Sequence, residues 1–232
     1  ITWPLRDIAS HRLTVRPLGR FPVAYVEPVA RYGWRRVAKR TFDLLVAGTG
    51  LIVVSPVLAA AAIAVKLTSP GPVLFRQTRV GQYARPFEVL KLRTMVLDAE
   101  ARLAALGELN EADGPMFKMA HDPRITRVGG FLRRTSLDEL PQLWNVARGQ
   151  MSLVGPRPAL PSEMVEWDSE LYNRLRVKPG ITGMWQVNGR SGSSFADYQR
   201  LDLYYVDNWS ILVDVGILAK TLPAVLSSRG AM

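Results

Sequence analysis

A chain of 232 residues, 48% of them hydrophobic, can build one sizeable core, or one domain with an appendage. It has no cysteine, which excludes disulfides and thiolate metal sites and leaves the compartment open. A formal net charge of +10 suits an anionic membrane surface or nucleic acid.

Much of that charge is at the start. The first 40 residues hold nine Lys or Arg against Asp7 and Glu27, so +7 of the excess lies there. Residues 1–38 are punctuated by proline and arginine, and 21–26 reads as one short strand. The chain opens on Ile1 with no signal-peptide pattern, and the expectation is a fragment or processed form. Residues 1–38 then read as a basic linker, the tail of an upstream domain.

Residues 44–65, LLVAGTGLIVVSPVLAAAAIAV, carry no charge. Twenty-two residues of helix reach roughly 33 Å, just enough to span a bilayer. Two features oppose a simple span. Ser55-Pro56 lies at the middle, where proline removes a backbone bond and bends the helix. Both flanks are basic, with Arg35, Arg36, Lys39 and Arg40 before and Lys66 after, so both ends prefer the cytoplasmic side. A helix that enters over about 42–66, breaks at Ser55 and Pro56 and returns satisfies both. The competing reading is a buried core helix. Asp43 is expected to pair with Lys39 or Arg40 at the interface, or to serve as an N-terminal helix charge.

Residues 72–95 have β-type runs at 73–77 and 87–92 around a loop with Gly81 and Pro86, a hairpin pattern. Lys91 and Arg93 share a strand face at period two and can hold a phosphate, or simply face solvent. A helix is expected over 96–109 and a loop over 110–124, where His121 reads as a turn residue rather than a metal ligand.

Residues 133–158, RRTSLDELPQLWNVARGQMSLVGPRP, are the most informative stretch. Asp138 and Glu139 stand side by side, with Arg133, Arg134, Arg148 and Arg157 around them. Adjacent acids among arginines suit a metal ion and a phosphorylated substrate. A structural reading is equally available. Ser136 and Glu139 have capping-box spacing, which puts Asp138 at the second helical position, where the dipole holds it ionised. Beyond this block, Met164, Trp167, Leu171 and Leu175 predict one amphipathic helix, with Glu163, Glu166, Asp168 and Glu170 in its first turns. Its aromatic stripe suits a core or a membrane interface. Residues 180–190 read as a glycine-rich loop ending in Arg190, and Tyr204, Tyr205, Trp209 and the apolar run to Leu226 suggest one last interfacial or core helix, kinked near Pro223.

These residues together resemble the bacterial sugar transferase family, the polyprenyl-phosphate glycosyl-1-phosphate transferases. The motifs are KRTFDLLVA at 39–47, SPGPVLFRQTRVG at 69–81, FEVLKLRTM at 87–95, DPRITRVGGFLRRTSLDELPQLWNV at 122–146, MSLVGPRP at 151–158, VKPGITGMWQVNGR at 177–190 and LDLYYVDNWS at 201–210. The resemblance covers roughly 39–230.

It implies an α+β, mostly helical, monotopic membrane enzyme: a re-entrant broken helix, a small β-hairpin and interfacial amphipathic helices, with residues 39–232 as the catalytic domain. The implied reaction moves a sugar-1-phosphate from a UDP-sugar to polyprenyl phosphate, releasing UMP, with Mg2+ as cofactor. It would run on the cytoplasmic face of the bacterial inner membrane, among membrane lipids, with a homodimer among the expectations. The implied catalytic residues are Asp138, Glu139 and Arg133, with Asp138 and Glu139 as metal ligands. Lys91, Arg93, Arg134, Arg157 and Arg190 are the expected substrate cations. Two other readings stand beside it. One is a glycosyltransferase that releases UDP. The other is a membrane-anchored nucleic-acid binder, opposed by aromatics that lie on apolar stripes rather than between basic residues.

Overall fold

The computed structural model describes residues 13–26, 33–103, 119, 122–188 and 195–226. The fold is mixed α/β and mostly helical. A hairpin of β1 (Leu13–Leu18) and β2 (Phe21–Val26) precedes the long helix α1 (Trp34–Thr68). The second hairpin is β3 (Leu74–Val80) with β4 (Pro86–Leu92), followed by α2 (Ala99–Leu103), α3 (Arg127–Arg134) and α4 (Gln142–Ala147). Strands β5 (Ser152–Val154) and β6 (Gly180–Thr182) pair in parallel. Helices α5 (Met184–Asn188), α6 (Phe195–Asp207) and α7 (Ile211–Leu226) complete the order. The strand at 21–26 is present, and its partner β1 went unpredicted.

Helix α1 has 35 residues and starts eight residues before the expected 42; in that extension Lys39 and Arg40 dock on the body, while Trp34 and Val37 are exposed. Only Asp43, Ala47 and Val65 in it are buried. Ile52, Val53, Ile63 and Leu67 are at least 60% exposed, which does not fit the core helix of a soluble protein. The helix is long and apolar enough to cross a membrane by length and composition. Pro56, where the break is expected, lies inside this helix. Pro56 has no N–H to offer the Ile52 carbonyl, and the Ser55 hydroxyl donates to that same carbonyl at 2.8 Å.

Both ends of α1 are anchored. Asp43 Oδ1 accepts from Lys39 Nζ at 3.0 Å and from Ser152 Oγ and Leu153 N at 3.2 Å. Lys39 also bonds Asp214 on α7 at 2.8 Å. Asp43 therefore pairs with Lys39 as expected, but buried against β5 rather than at an interface. Arg40 donates to the Val146 and Ala147 carbonyls at 2.6 and 2.7 Å, closing the C-terminus of α4. Ala47 joins Phe87, Val89, Val146 and Met151 in the main core, while Val65 joins Leu92 and Leu132 in a second.

Three sequence expectations are corrected. Residues 162–176 form two 3-10 turns, Ser162–Glu166 and Leu171–Arg176, not one helix. Trp167 between them is extended, and Asp168 Oδ1 takes the Leu171 N–H at 2.8 Å to start the second turn. The predicted stripe still packs together around Ala159, with Trp167 8% exposed, as the core reading expects. The glycine-rich stretch from 180 is β6 and α5 rather than a loop. Its glycines serve close approach. A Cβ on Gly155, Gly180 or Gly183 would collide with backbone where β5 and β6 meet. The C-terminal region is two helices, with Pro223 inside α7.

Candidate active site

The focal acids sit on a 3-10 turn, Leu137–Glu139, between α3 and α4. Ser136 before it has φ 55, in the left-handed region, and its side chain caps nothing. The capping box is therefore absent. A three-residue turn also supplies no macrodipole to hold Asp138 ionised. The outcome is the reverse of the expectation. Asp138 is 6% exposed, and burial pushes its carboxyl up to about 6. Lys91 and Arg133 oppose that rise and Glu139 adds to it.

Strand β4 and helix α3 bring the cations. Lys91 Nζ donates to Glu139 Oε1 at 2.6 Å. Arg133 Nε donates to Thr94 Oγ1 at 3.0 Å, which fixes the guanidinium within electrostatic reach of Asp138. Burial pulls the Arg133 guanidinium below its usual range, with Asp138 and Asp122 opposing. Close packing makes this geometry: a Cβ on Gly129 of α3 would overlap the Thr94 carbonyl. Asp122 clamps Arg124 at 2.6 Å beside this group.

On the other flank lie Arg79 and Arg157. Arg79 pairs across the hairpin with Phe87, so it shares the face of Val89 and Lys91. It donates to the Pro158 carbonyl at 3.1 Å, and burial with Arg157 lowers it to about 10. Arg157 bonds both carboxylate oxygens of Glu163, at 3.0 and 3.2 Å. Beneath it, Arg174 is 2% exposed and lies between the rings of Trp167 and Tyr198, at 4.9 and 4.6 Å. One Arg174 nitrogen bonds the Arg157 carbonyl at 2.7 Å and Asp202 at 2.6 Å.

Of the predicted site residues, the structure brings together Asp138, Glu139, Arg133 and Lys91. Arg157 is held on the flank by Glu163. Arg93 turns away: it is buried and bonds the Ser69 carbonyl and hydroxyl at 2.8 and 2.7 Å, tying down the end of α1. Arg134 is exposed. Arg190 and His121 lie outside the described residues. Arg79 and Glu163 were missed. The period-two reading that selected Lys91, carried across the hairpin to the paired strand, finds Arg79. Nothing in the sequence separates Glu163 from its acidic neighbours.

Asp138 and Glu139 fit Mg2+ in one specific sense. Among the described residues no three His, Asp or Glu side chains gather to form a full metal cage. Mg2+ is commonly held by one or two carboxylates, with waters and substrate phosphates completing the shell. A buried Asp138 pushed up by burial is also a carboxylate that a cation would stabilise.

The description "bacterial sugar transferase" matches residues 34–228. The exopolysaccharide production protein ExoY of Sinorhizobium fredii is 42% identical over 84% of this chain and 88% of its own length. The UDP-glucose:undecaprenyl-phosphate glucose-1-phosphate transferase of Caulobacter vibrioides is 39% identical over 96% of the chain and 79% of its own. The undecaprenyl-phosphate galactose phosphotransferase of Salmonella typhimurium is 41% identical over 84% of the chain, which spans 42% of that protein. With a match over most of its length and relatives near 40% identity, this chain belongs to the bacterial sugar transferase family.

Proposed function

We propose that the chain transfers a sugar-1-phosphate from a UDP-sugar to polyprenyl phosphate and releases UMP. The observation that carries this is the buried Asp138 with Lys91 and Arg133 around it, in a family whose named relatives act on undecaprenyl phosphate. A carboxylate oxygen of Asp138 attacks the phosphorus that bears the sugar. The bond to the uridylyl phosphate breaks and UMP leaves with that electron pair. Sugar-1-phosphate is then an acyl phosphate on Asp138. An oxygen of polyprenyl phosphate attacks the same phosphorus, and Asp138 returns as carboxylate. Arg133 and Lys91 face the negative charge that builds on the phosphoryl oxygens, and Arg157 and Arg79 take the remaining phosphate. The Arg157 fork meets phosphate in two parallel bonds once it exchanges Glu163 for the substrate. Mg2+, held by Asp138 and Glu139, would supply charge neutralisation on the diphosphate.

In this reading α1 enters the cytoplasmic face of the inner membrane, bends at Ser55-Pro56 and returns, and residues 39–232 act as the catalytic domain. Both ends of the helix dock on one body, through Asp43 and Val65, which supports re-entry over a full span. Basic residues at both flanks support it too. Cysteines at 38 and 68, in a chain that has none, label from the same side of sealed vesicles; labelling of only one from that side rejects re-entry.

The test of the reaction is incubation with undecaprenyl phosphate, Mg2+ and a panel of UDP-sugars. UMP appears with at least one sugar. Release of UDP instead assigns the chain to sugar transfer alone. Labelled UDP-sugar without acceptor leaves label on the protein, and a ternary-complex mechanism with no trapped adduct rejects Asp138 as nucleophile.

A further inference from the structure

We propose that the cleft between α1 and the β3–β4 hairpin is a resident site for an anionic phospholipid, separate from the place of the lipid acceptor. The proposal rests on the reading that α1 lies in a bilayer.

The cleft measures about 840 Å3. Leu51, Leu58 and Ala62 of α1 form one wall, and Leu74, Leu90 and Leu92 of the hairpin form the other. The α1 wall is apolar, the hairpin wall is apolar at Leu74, Leu90 and Leu92, and α1 carries further exposed apolar side chains, so the cleft suits a lipid chain. Its polar residues include two cations. Arg148 lies 5.3 Å from the ring centroid of Trp144, itself 47% exposed, and both line the cleft. Arg76 pairs with Glu88, the carboxylate of the lining, at 3.7 Å, with both side chains largely exposed. An indole with a guanidinium beside it suits the level of lipid headgroups.

More positive charge stands behind Arg148. The next residue, Gly149, has φ +81, and a Cβ there would lie 3.3 Å from Arg40 Nη2 and 3.5 Å from Lys178 Nζ. Burial, and Arg40 after it, pull the Lys178 ammonium below its usual range. Arg148 in the lining, with Arg40 and Lys178 near the residue that follows it, complements a phosphodiester headgroup.

The hairpin register decides which lipid. Leu90 pairs with Arg76, and Leu92 with Leu74, on the cleft face. Lys91 between them points to the opposite face, where it holds Glu139. A headgroup in the cleft is therefore separated from Asp138 by the hairpin itself. That favours a phospholipid that stays in place over an acceptor that must bring its phosphate to the dyad.

The experiment reconstitutes the full chain in phosphatidylcholine vesicles doped with chain-brominated phosphatidylglycerol or, separately, chain-brominated phosphatidylcholine. Quenching assigned to Trp144, as the difference from Trp144→Phe, is followed against mole fraction. Phosphatidylglycerol should half-quench at about one-fifth the mole fraction that phosphatidylcholine needs, a preference that one cation near a headgroup can supply. Arg148→Gln should bring the two lipids to parity. Undecaprenyl phosphate should displace brominated phosphatidylglycerol no better than phosphatidylglycerol itself. Equal quenching by the two lipids in the unaltered chain overturns the proposal alone, and stronger displacement by undecaprenyl phosphate gives the cleft to the acceptor. Failure to associate with either vesicle overturns the bilayer reading and the proposal with it.

Discussion

Asp138 and Asp202 are both buried, and burial pushes both carboxyls up. Their surroundings differ in commitment. Asp202 is 0% exposed and has its own arginine at 2.6 Å, clamped between two aromatic rings. Around Asp138 the nearest ammonium, Lys91, bonds the neighbouring Glu139 instead. The Asp202 cluster holds the Gly155-Pro156-Arg157-Pro158 turn through the Arg157 carbonyl. The Asp138 cluster keeps its cations at electrostatic distance from the carboxylate, as the proposed nucleophile requires. A raised carboxyl pKa alone does not mark a catalytic group; what its neighbours are already bonded to does.

Paired substitutions break or sharpen this contrast. Asp138→Asn should lower turnover by about 10^3-fold or more, since an amide is a poor nucleophile. Its thermal unfolding midpoint should hold or rise, because a buried charge is removed while Lys91 keeps Glu139. Asp202→Asn should do the opposite. It leaves Arg174 buried without its partner, at a cost of about 3 kcal/mol in stability, while turnover per folded molecule falls far less. Equal loss of turnover in both variants, measured beside unfolding curves, would erase the distinction.

The next effect is on pH dependence. With Asp138 raised to about 6, kcat/KM should fall about tenfold per pH unit below that value and level off above it. The stability contribution has the opposite slope. A carboxyl whose folded pKa lies above its unfolded one favours the folded state at low pH, and that contribution is lost as pH rises from about 4 to about 6. Stability curves for the unaltered chain and Asp138→Asn should therefore converge toward pH 4. Smaller again is Arg133→Lys, expected to cost about 10- to 100-fold in kcat/KM because the fork held by Thr94 is lost. Smallest is Arg134→Gln, an exposed position, expected to change kcat/KM by no more than about twofold.

The elements were legible in advance to different degrees, and the contrast itself was not. The long helix was readable because 22 uncharged residues leave few options. The hairpin was readable from its β-type runs. The dyad was found, but its environment was misread. Capping-box spacing assumes a helix, and the left-handed Ser136 starts a 3-10 turn instead. The stripe at Met164, Trp167, Leu171 and Leu175 has helical spacing and folds as two turns, since apolar period records which residues share a core, not the hydrogen bonds between them. Arg174 was invisible because its role is tertiary, fixed by two rings and a carboxylate far apart in sequence.

The Ser55 hydroxyl on the Ile52 carbonyl has a wider meaning. A proline inside a membrane helix strands a carbonyl that a neighbouring helix, a Ser or Thr side chain or a water must satisfy. Here the chain does so within one turn of itself. The carbonyl that Pro56 strands is thus satisfied within α1 itself, which suits the proposed place of this helix in a bilayer. The chain itself spans 88% of one relative and 42% of another.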